Sequence, residues 1–254
     1  MLTETVSQYF EGSIRNNWDY KALSDYKGET LAYSDVAHII HRVHNFFQAV
    51  GIKPGDKVAL LGKNSARWCT VYLATVSYGA VIVPILPDFK PTDVQGIVTH
   101  SDSILLFAEQ SLFDALDFEQ MPILMGALRI NGFSILAQRS DQFVGAVNEV
   151  KLDKPYDANP LKADEFRLPQ IENDKLAVIS YTSGTTGFAK GVMIPHNSLA
   201  ANIRYAQRNM PLNPGDPIVS FLPLAHTFGC AFEFLFPFTL GCHITILTKP
   251  LRHR

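Results

Sequence analysis

The sequence predicts an α/β protein, with parallel-sheet lobes and helices on both faces. Three observations support this. From Gly55 onward, apolar runs of strand length alternate with stretches of helix length. The connections between them are short, as expected for parallel βαβ units. And 254 residues, 47% of them hydrophobic, are enough to bury a sizeable core, as one large domain or two lobes.

Residues 1–30 are mixed and read as a short helix and a turn. Ser34 and Asp35 look like a helix N-cap. After them Val36, Ile39, Ile40, Val43, Phe46, Phe47 and Val50 fall at helical spacing, and Gly51 and Pro54 close the helix. His38, His41 and His44 fall on the opposite face, which reads as solvated rather than as a metal site. Val58–Leu61 is a strand, and Ser65 caps a helix running to about Tyr78. Val81–Ile85 is a strand, Thr92-Asp93 start a helix to about His100, and Ile104–Ala108 is another strand. Residues 109–170 are weaker: Ile123–Leu128 and Phe133–Leu136 fit strand or helix, and Lys151–Pro169 reads as a loop. Leu176–Ser180 is a buried strand, Val192–Ile194 a short one, and a turn follows at Pro195. Asn197-Ser198 cap a helix through about Arg208. Ile218–Leu222 is a strand, Phe232–Leu240 a buried helix and His243–Leu247 a strand.

Net charge −2 gives no bulk attraction to nucleic acid or to an anionic membrane. The three cysteines, 69, 230 and 242, sit in apolar patterns and read as buried free thiols of a reducing compartment. The first residues form no signal peptide, and no apolar run approaches the roughly 18 residues of a membrane span. A cytoplasmic location is expected.

The functional signal is Tyr181-Thr-Ser-Gly-Thr-Thr-Gly-Phe-Ala-Lys-Gly-Val192, a loop between two strands. Gly184, Gly187 and Gly191 permit positive φ and close approach to a ligand. Thr182, Ser183, Thr185 and Thr186 supply hydroxyls, and Lys190 supplies one cation. Backbone N–H groups in such turns form concave anion sites, so the loop fits a polyphosphate. A Walker A loop needs Gly directly before its Lys and Ser or Thr after it. Here Ala189 and Gly191 flank Lys190. G-x-G-x-x-G is absent from the chain, and G-x-S-x-G is absent around Ser183.

At these residues the sequence resembles the AMP-forming acyl-CoA synthetases of the adenylate-forming superfamily, most of all a long-chain fatty acid–CoA ligase. Ala189 stands where the family usually has Pro, which predicts a looser loop. The likeness extends to Gly51-Ile-Lys-Pro-Gly-Asp-Lys-Val58, Asn64-Ser65, Gly79-Ala-Val-Ile-Val-Pro84 and Pro223-Leu-Ala-His-Thr-Phe-Gly229. It implies conversion of a carboxylic acid and ATP to acyl-AMP, then transfer to CoA. It also implies nucleotide contacts from Thr182, Ser183, Gly184, Thr185, Thr186, Gly187 and Lys190, and Mg²⁺ contact from Thr185 or Thr186, Thr185 being preferred.

As a bare residue His226 reads as a core histidine. The resemblance moves it toward the acyl carboxylate, as an orienting group and not a base, because a carboxylate is already a nucleophile near neutral pH. Phe228, Phe232, Phe234, Phe236 and Phe238 read mostly as packed core, with an acyl tunnel as the alternative. Two lobes are expected, one at about 55–205 and the other from 1–50 plus 215–254. The site is expected at the crevice between them, near the carboxyl ends of strands. The family's later segments have no counterpart here: an acidic Mg²⁺ motif, a ribose Asp, a hinge and a small C-terminal domain with a second catalytic Lys. The expectation is therefore a truncated N-terminal adenylation domain, inactive alone, whose partners are a fatty acid, ATP, CoA and that absent domain. Peripheral membrane contact stays open. So do the rival readings: another acid (aryl, short-chain or amino acid) or a non-catalytic nucleotide- or acyl-binding module.

Overall fold

A computed structural model describes residues 4–152, 161–182 and 190–247. In chain order the elements begin with α1 Val6–Asn16, β1 Lys21–Asp25, β2 Thr30–Ala32, α2 Tyr33–Ala49, β3 Lys57–Leu61, α3 Ala66–Tyr78 and β4 Val81–Ile85. Then come α4 Pro91–His100, β5 Ser103–Ala108, the single turn α5 Gln110–Phe113, β6 Gly126–Arg129, β7 Ile135–Gln138 and α6 Asp141–Val150. The last are β8 Leu176–Thr182, β9 Lys190–Pro195, α7 His196–Asn209, β10 Pro217–Ser220 and β11 His243–Ile246. A helical segment at 227–239 joins β10 to β11; its middle, Cys230–Leu235, is π-helical.

The α/β class holds. Seven strands form one sheet in the order β7-β6-β5-β3-β4-β8-β9, and four form a second in the order β10-β11-β1-β2. Interior pairs are parallel, and the edge strands β2, β7 and β9 run antiparallel. Side chains alternate across the seven-stranded sheet. Val58, Leu60, Ile82 and Phe107 pack toward α2, α3 and α6, whereas Ala59, Leu61, Val83 and Leu106 pack on Val94, Ile97 and Val98 of α4.

Helix α3 touches β1 of the smaller sheet and β3 and β4 of the larger, and eleven of its thirteen residues are buried. A helix enclosed on every side must satisfy its own hydroxyls. Thr70 and Thr75 donate back to the Ala66 and Val71 carbonyls at 2.9 Å. Ser65 caps it as expected, accepting from the Trp68 N–H at 3.1 Å, and Gly79 ends it at φ +91°.

Several local expectations need correction. Helix α2 starts at Tyr33, with Asp35 inside the first turn, accepting the Ala32 N–H at 2.8 Å. Helix α7 starts at His196 without a side-chain cap. The His196 and Asn197 N–H groups instead donate to the Lys175 and Asn173 carbonyls at 2.9 and 2.8 Å, so Asn197 and Ser198 have no cap to make. Strands β1 and β2 replace the turn expected before residue 30. Helix α6 arises where no helix was anticipated, although Phe143, Ala146, Val147 and Val150 fall at helical spacing behind the Ser140 cap. Among the described residues no helix is long and apolar enough to cross a membrane. All three cysteines are free and buried.

The histidine face of α2 is not solvated throughout. His41 is exposed and His38 half-buried, but His44 is buried against α3. Its Nε2–H donates to the Ala74 carbonyl at 2.9 Å, and Ser77 Oγ lies 3.2 Å away. Burial pulls the His44 pKa down from 6.5 to about 4. The unfolded chain therefore binds a proton that the folded chain refuses. Stability from His44 is full above pH 6.5 and falls as pH drops toward 4, by on the order of 3 kcal/mol. Urea unfolding across this pH range should lose that component in His44→Gln; an unchanged profile would assign the acid sensitivity to other groups.

Candidate functional site

The predicted loop is shorter than its motif. β8 and β9 form an antiparallel hairpin whose register pairs Thr182 with Lys190, Tyr181 with Gly191 and Ser180 with Val192. Those six residues are strand. Ser183, Gly184, Thr185, Thr186 and Gly187 lie outside the described residues. Thr182 and Lys190 face each other at the hairpin's open end, both exposed.

Gly191 is not at positive φ, contrary to expectation. It makes room instead: a Cβ there would lie 3.0 Å from Ile179 Cγ2 and 3.1 Å from Tyr181 Cζ. Tyr181 Oη is hydrogen-bonded to His100 Nδ1 at 2.7 Å. The ring laid against Gly191 is thus tied to the end of α4.

The second predicted element follows β10. Glu233 Oε2 accepts the N–H groups of Phe221 and Leu222, each at 2.8 Å. The Asn64 amide takes the next groups: Nδ2 donates to the Leu222 carbonyl at 2.7 Å and Oδ1 accepts the Leu224 N–H at 3.0 Å. Gly229 is required by proximity, because a Cβ there would lie 2.7 Å from the Pro223 carbonyl oxygen.

His226 is exposed, so the core-histidine reading fails. It opens the helical segment, and its Nδ1 accepts the Phe228 N–H at 3.3 Å. That bond leaves the proton of a neutral ring on Nε2, free to face a ligand. Of the five phenylalanines, Phe234, Phe236 and Phe238 are core. Phe228 is 57% exposed and packs against Phe232 at 4.9 Å between centroids.

A cleft joins the two elements. Its walls are mostly apolar and include Tyr72, Val178, Leu199, Leu224 and Leu235. Ser180, Asn202 and Thr227 add polar groups, and Cys230 lines it with a thiol that burial pushes up to about 12. Val178, Ser180 and Ile194 come from the strands flanking the predicted phosphate loop. Ala225 and Thr227 flank His226. This lining suits an apolar group fixed by a few polar contacts.

A second cleft lies where β3, β4, β10 and β11 end, between the two sheets. Lys63, Asn64, Asp88, Phe221 and Leu247 line it. In the sequence Asn64 stands out only within a motif, and Tyr72 and Asn202 not at all. Their signal is tertiary, since each reaches its cleft from an element other than the loop. Among the described residues no group of three His, Cys, Asp or Glu could hold a metal ion. Thr185, expected at Mg²⁺, lies outside them.

Comparison with known proteins places the chain in a family and supports its fold. The family described as AMP-binding enzyme matches residues 10–254. A medium-chain fatty-acid–CoA ligase of Escherichia coli (strain K12) is 25% identical over 246 residues, covering 96% of this chain and 42% of that protein. The 4-coumarate–CoA ligase 4 of Arabidopsis thaliana is 27% identical, covering 98% and 43%. An anthranilate CoA ligase solved with anthranoyl-AMP superposes with a TM-score of 0.80 at 21% identity, covering 97% of this chain and 45% of that one. The chain thus spans under half the length of these relatives.

Proposed function

The chain belongs to the AMP-binding enzyme family as an N-terminal portion, and from that premise we propose that it serves ATP-dependent activation of a carboxylic acid. A carboxylate oxygen attacks the α-phosphorus of ATP, pyrophosphate leaves, and the acyl-adenylate forms. The CoA thiol then attacks the acyl carbon and AMP departs. The observation that carries this reading is the shared cleft: the strands bearing the Gly/Ser/Thr loop and the turn bearing His226 wall one apolar cavity.

An anion must attack an anion, so positioning and charge neutralisation carry most of the barrier reduction. Lys190, Thr182 and the loop residues Ser183, Gly184, Thr185, Thr186 and Gly187 hold the phosphates. The Nε2–H of His226 orients the carboxylate. Thr185 would be the chain's own contact to a Mg²⁺ bound with ATP, which would supply charge neutralisation at the phosphates. The same reading divides the chain into two lobes, about 55–205 and 1–50 plus 215–254. The second catalytic Lys belongs to a C-terminal domain.

An apolar cleft supports an acid with an apolar body, a fatty acid first. The long-chain reading is weakened, because Phe234, Phe236 and Phe238 are committed to the core. The relatives, by their names, take medium-chain fatty acids and 4-coumarate, so aryl acids belong in the test. Carboxylate-dependent ATP–pyrophosphate exchange, run on fatty acids of graded length and on aromatic acids with the full-length protein carrying this chain, should show exchange for one class. Exchange with none would refute the proposal. The 254-residue chain alone should exchange poorly.

A further inference from the structure

We propose that Asn64 is a positioning residue, holding the turn that carries His226 in register with the cleft; this rests on the acid-activation reading above. The turn 221–229 leaves β10 of the smaller sheet, whereas Asn64 follows β3 of the larger one. One side-chain amide spans the two. Its Nδ2 donates to the Leu222 carbonyl at 2.7 Å and its Oδ1 accepts the Leu224 N–H at 3.0 Å. Between those groups lies Pro223, which has no N–H of its own. The turn therefore offers one acceptor and one donor, and asparagine matches both with a single planar group.

The anchor itself is rigid. Ser65, the next residue, caps α3, the helix enclosed between the sheets. Upstream, Glu233 holds the Phe221 and Leu222 N–H groups, but Glu233 belongs to the same helical segment as the turn and moves with it. Of these two clamps, only Asn64 reaches across to the larger sheet. What it fixes is functional surface: Leu224 and Ala225 line the cleft, and His226 follows directly.

Two substitutions of similar size separate the possibilities. Asn64→Asp keeps an acceptor for Leu224 but opposes a carboxylate to the Leu222 carbonyl; Asn64→Leu removes both bonds. Both variants, in the full-length protein, should exchange the amide hydrogens of 222–229 about tenfold faster while β3 and α3 keep wild-type protection. The acid kcat/KM should fall roughly ten- to a hundredfold, the scale of a misplaced group, with the ATP KM within about twofold. In a His226→Ala background the same substitution should cost less than about twofold, because both act through one turn. Unchanged amide exchange at 222–229, or an equal loss of kcat/KM with and without His226, would overturn the proposal. If the unmutated protein activates no acid, the acid-activation reading fails instead, and amide exchange alone then decides whether Asn64 holds the turn.

Discussion

Lys190→Ala is expected to slow carboxylate-dependent ATP–pyrophosphate exchange by roughly a hundredfold, the usual loss when a positioned electrostatic contact to the reacting centre is removed. Lys190 sits at the first position of β9, exposed, opposite Thr182 across the mouth of the hairpin. Among the described residues it forms no ion pair that folding would miss, so the melting temperature should hold, within the roughly 0.5 kcal/mol typical of surface changes. Lys190→Arg should recover part of the rate by keeping the charge while changing its shape. The strand pairing matters here. A lysine on a mobile loop would spend binding energy on being ordered, whereas the register fixes the Lys190 backbone before any nucleotide arrives. An unchanged exchange rate in Lys190→Ala would remove Lys190 from the mechanism. A loss of rate matched by a loss of melting temperature would make its role structural.

The parts of the fold legible in the sequence were those with local causes. Strand β4 and helix α3 emerged at their observed limits, because a continuous apolar run and a Ser cap with a terminal Gly each act within a few residues. Strands β1 and β2 did not emerge. β1 pairs with β2 on one side and, as Leu23 with Ile244, with β11 some two hundred residues away on the other, and strands of five and three residues carry no period. His44 was misplaced for a related reason. Helix α2 alone has one apolar stripe, but α3 packs near the histidine side and offers the Ala74 carbonyl. For the candidate site the sequence offers composition, in the Gly/Ser/Thr loop and His226. Its architecture was not legible: the hairpin register, the cleft beneath it and the Asn64 clamp are all contacts between elements distant in sequence.

Phe238→Ala should destabilise the protein by about 3–5 kcal/mol, the range for truncating a buried aromatic side chain. Phe238 is fully buried. Its ring lies 6.3 Å from Phe10 of α1, 4.9 Å from Tyr33 of α2 and 6.2 Å from Phe234. Its carbonyl accepts the Ser13 and Tyr33 hydroxyls. The residue therefore ties α1 and α2 to the segment leading into β11, and a cavity there loosens three elements at once. Against a typical total of 5–15 kcal/mol, the midpoint of thermal unfolding should fall by about 10 °C. Phe228→Ala is the internal control. That side chain is 57% exposed beside the His226 turn, so its loss should leave stability within about 0.5 kcal/mol. An effect on the acid KM there would mark Phe228 as substrate surface. The pair decides between two readings of one Phe-rich segment. If Phe238→Ala instead kept its stability and shifted the preferred acyl length, the ring would belong to a tunnel, and the packing described for 234–238 would be wrong.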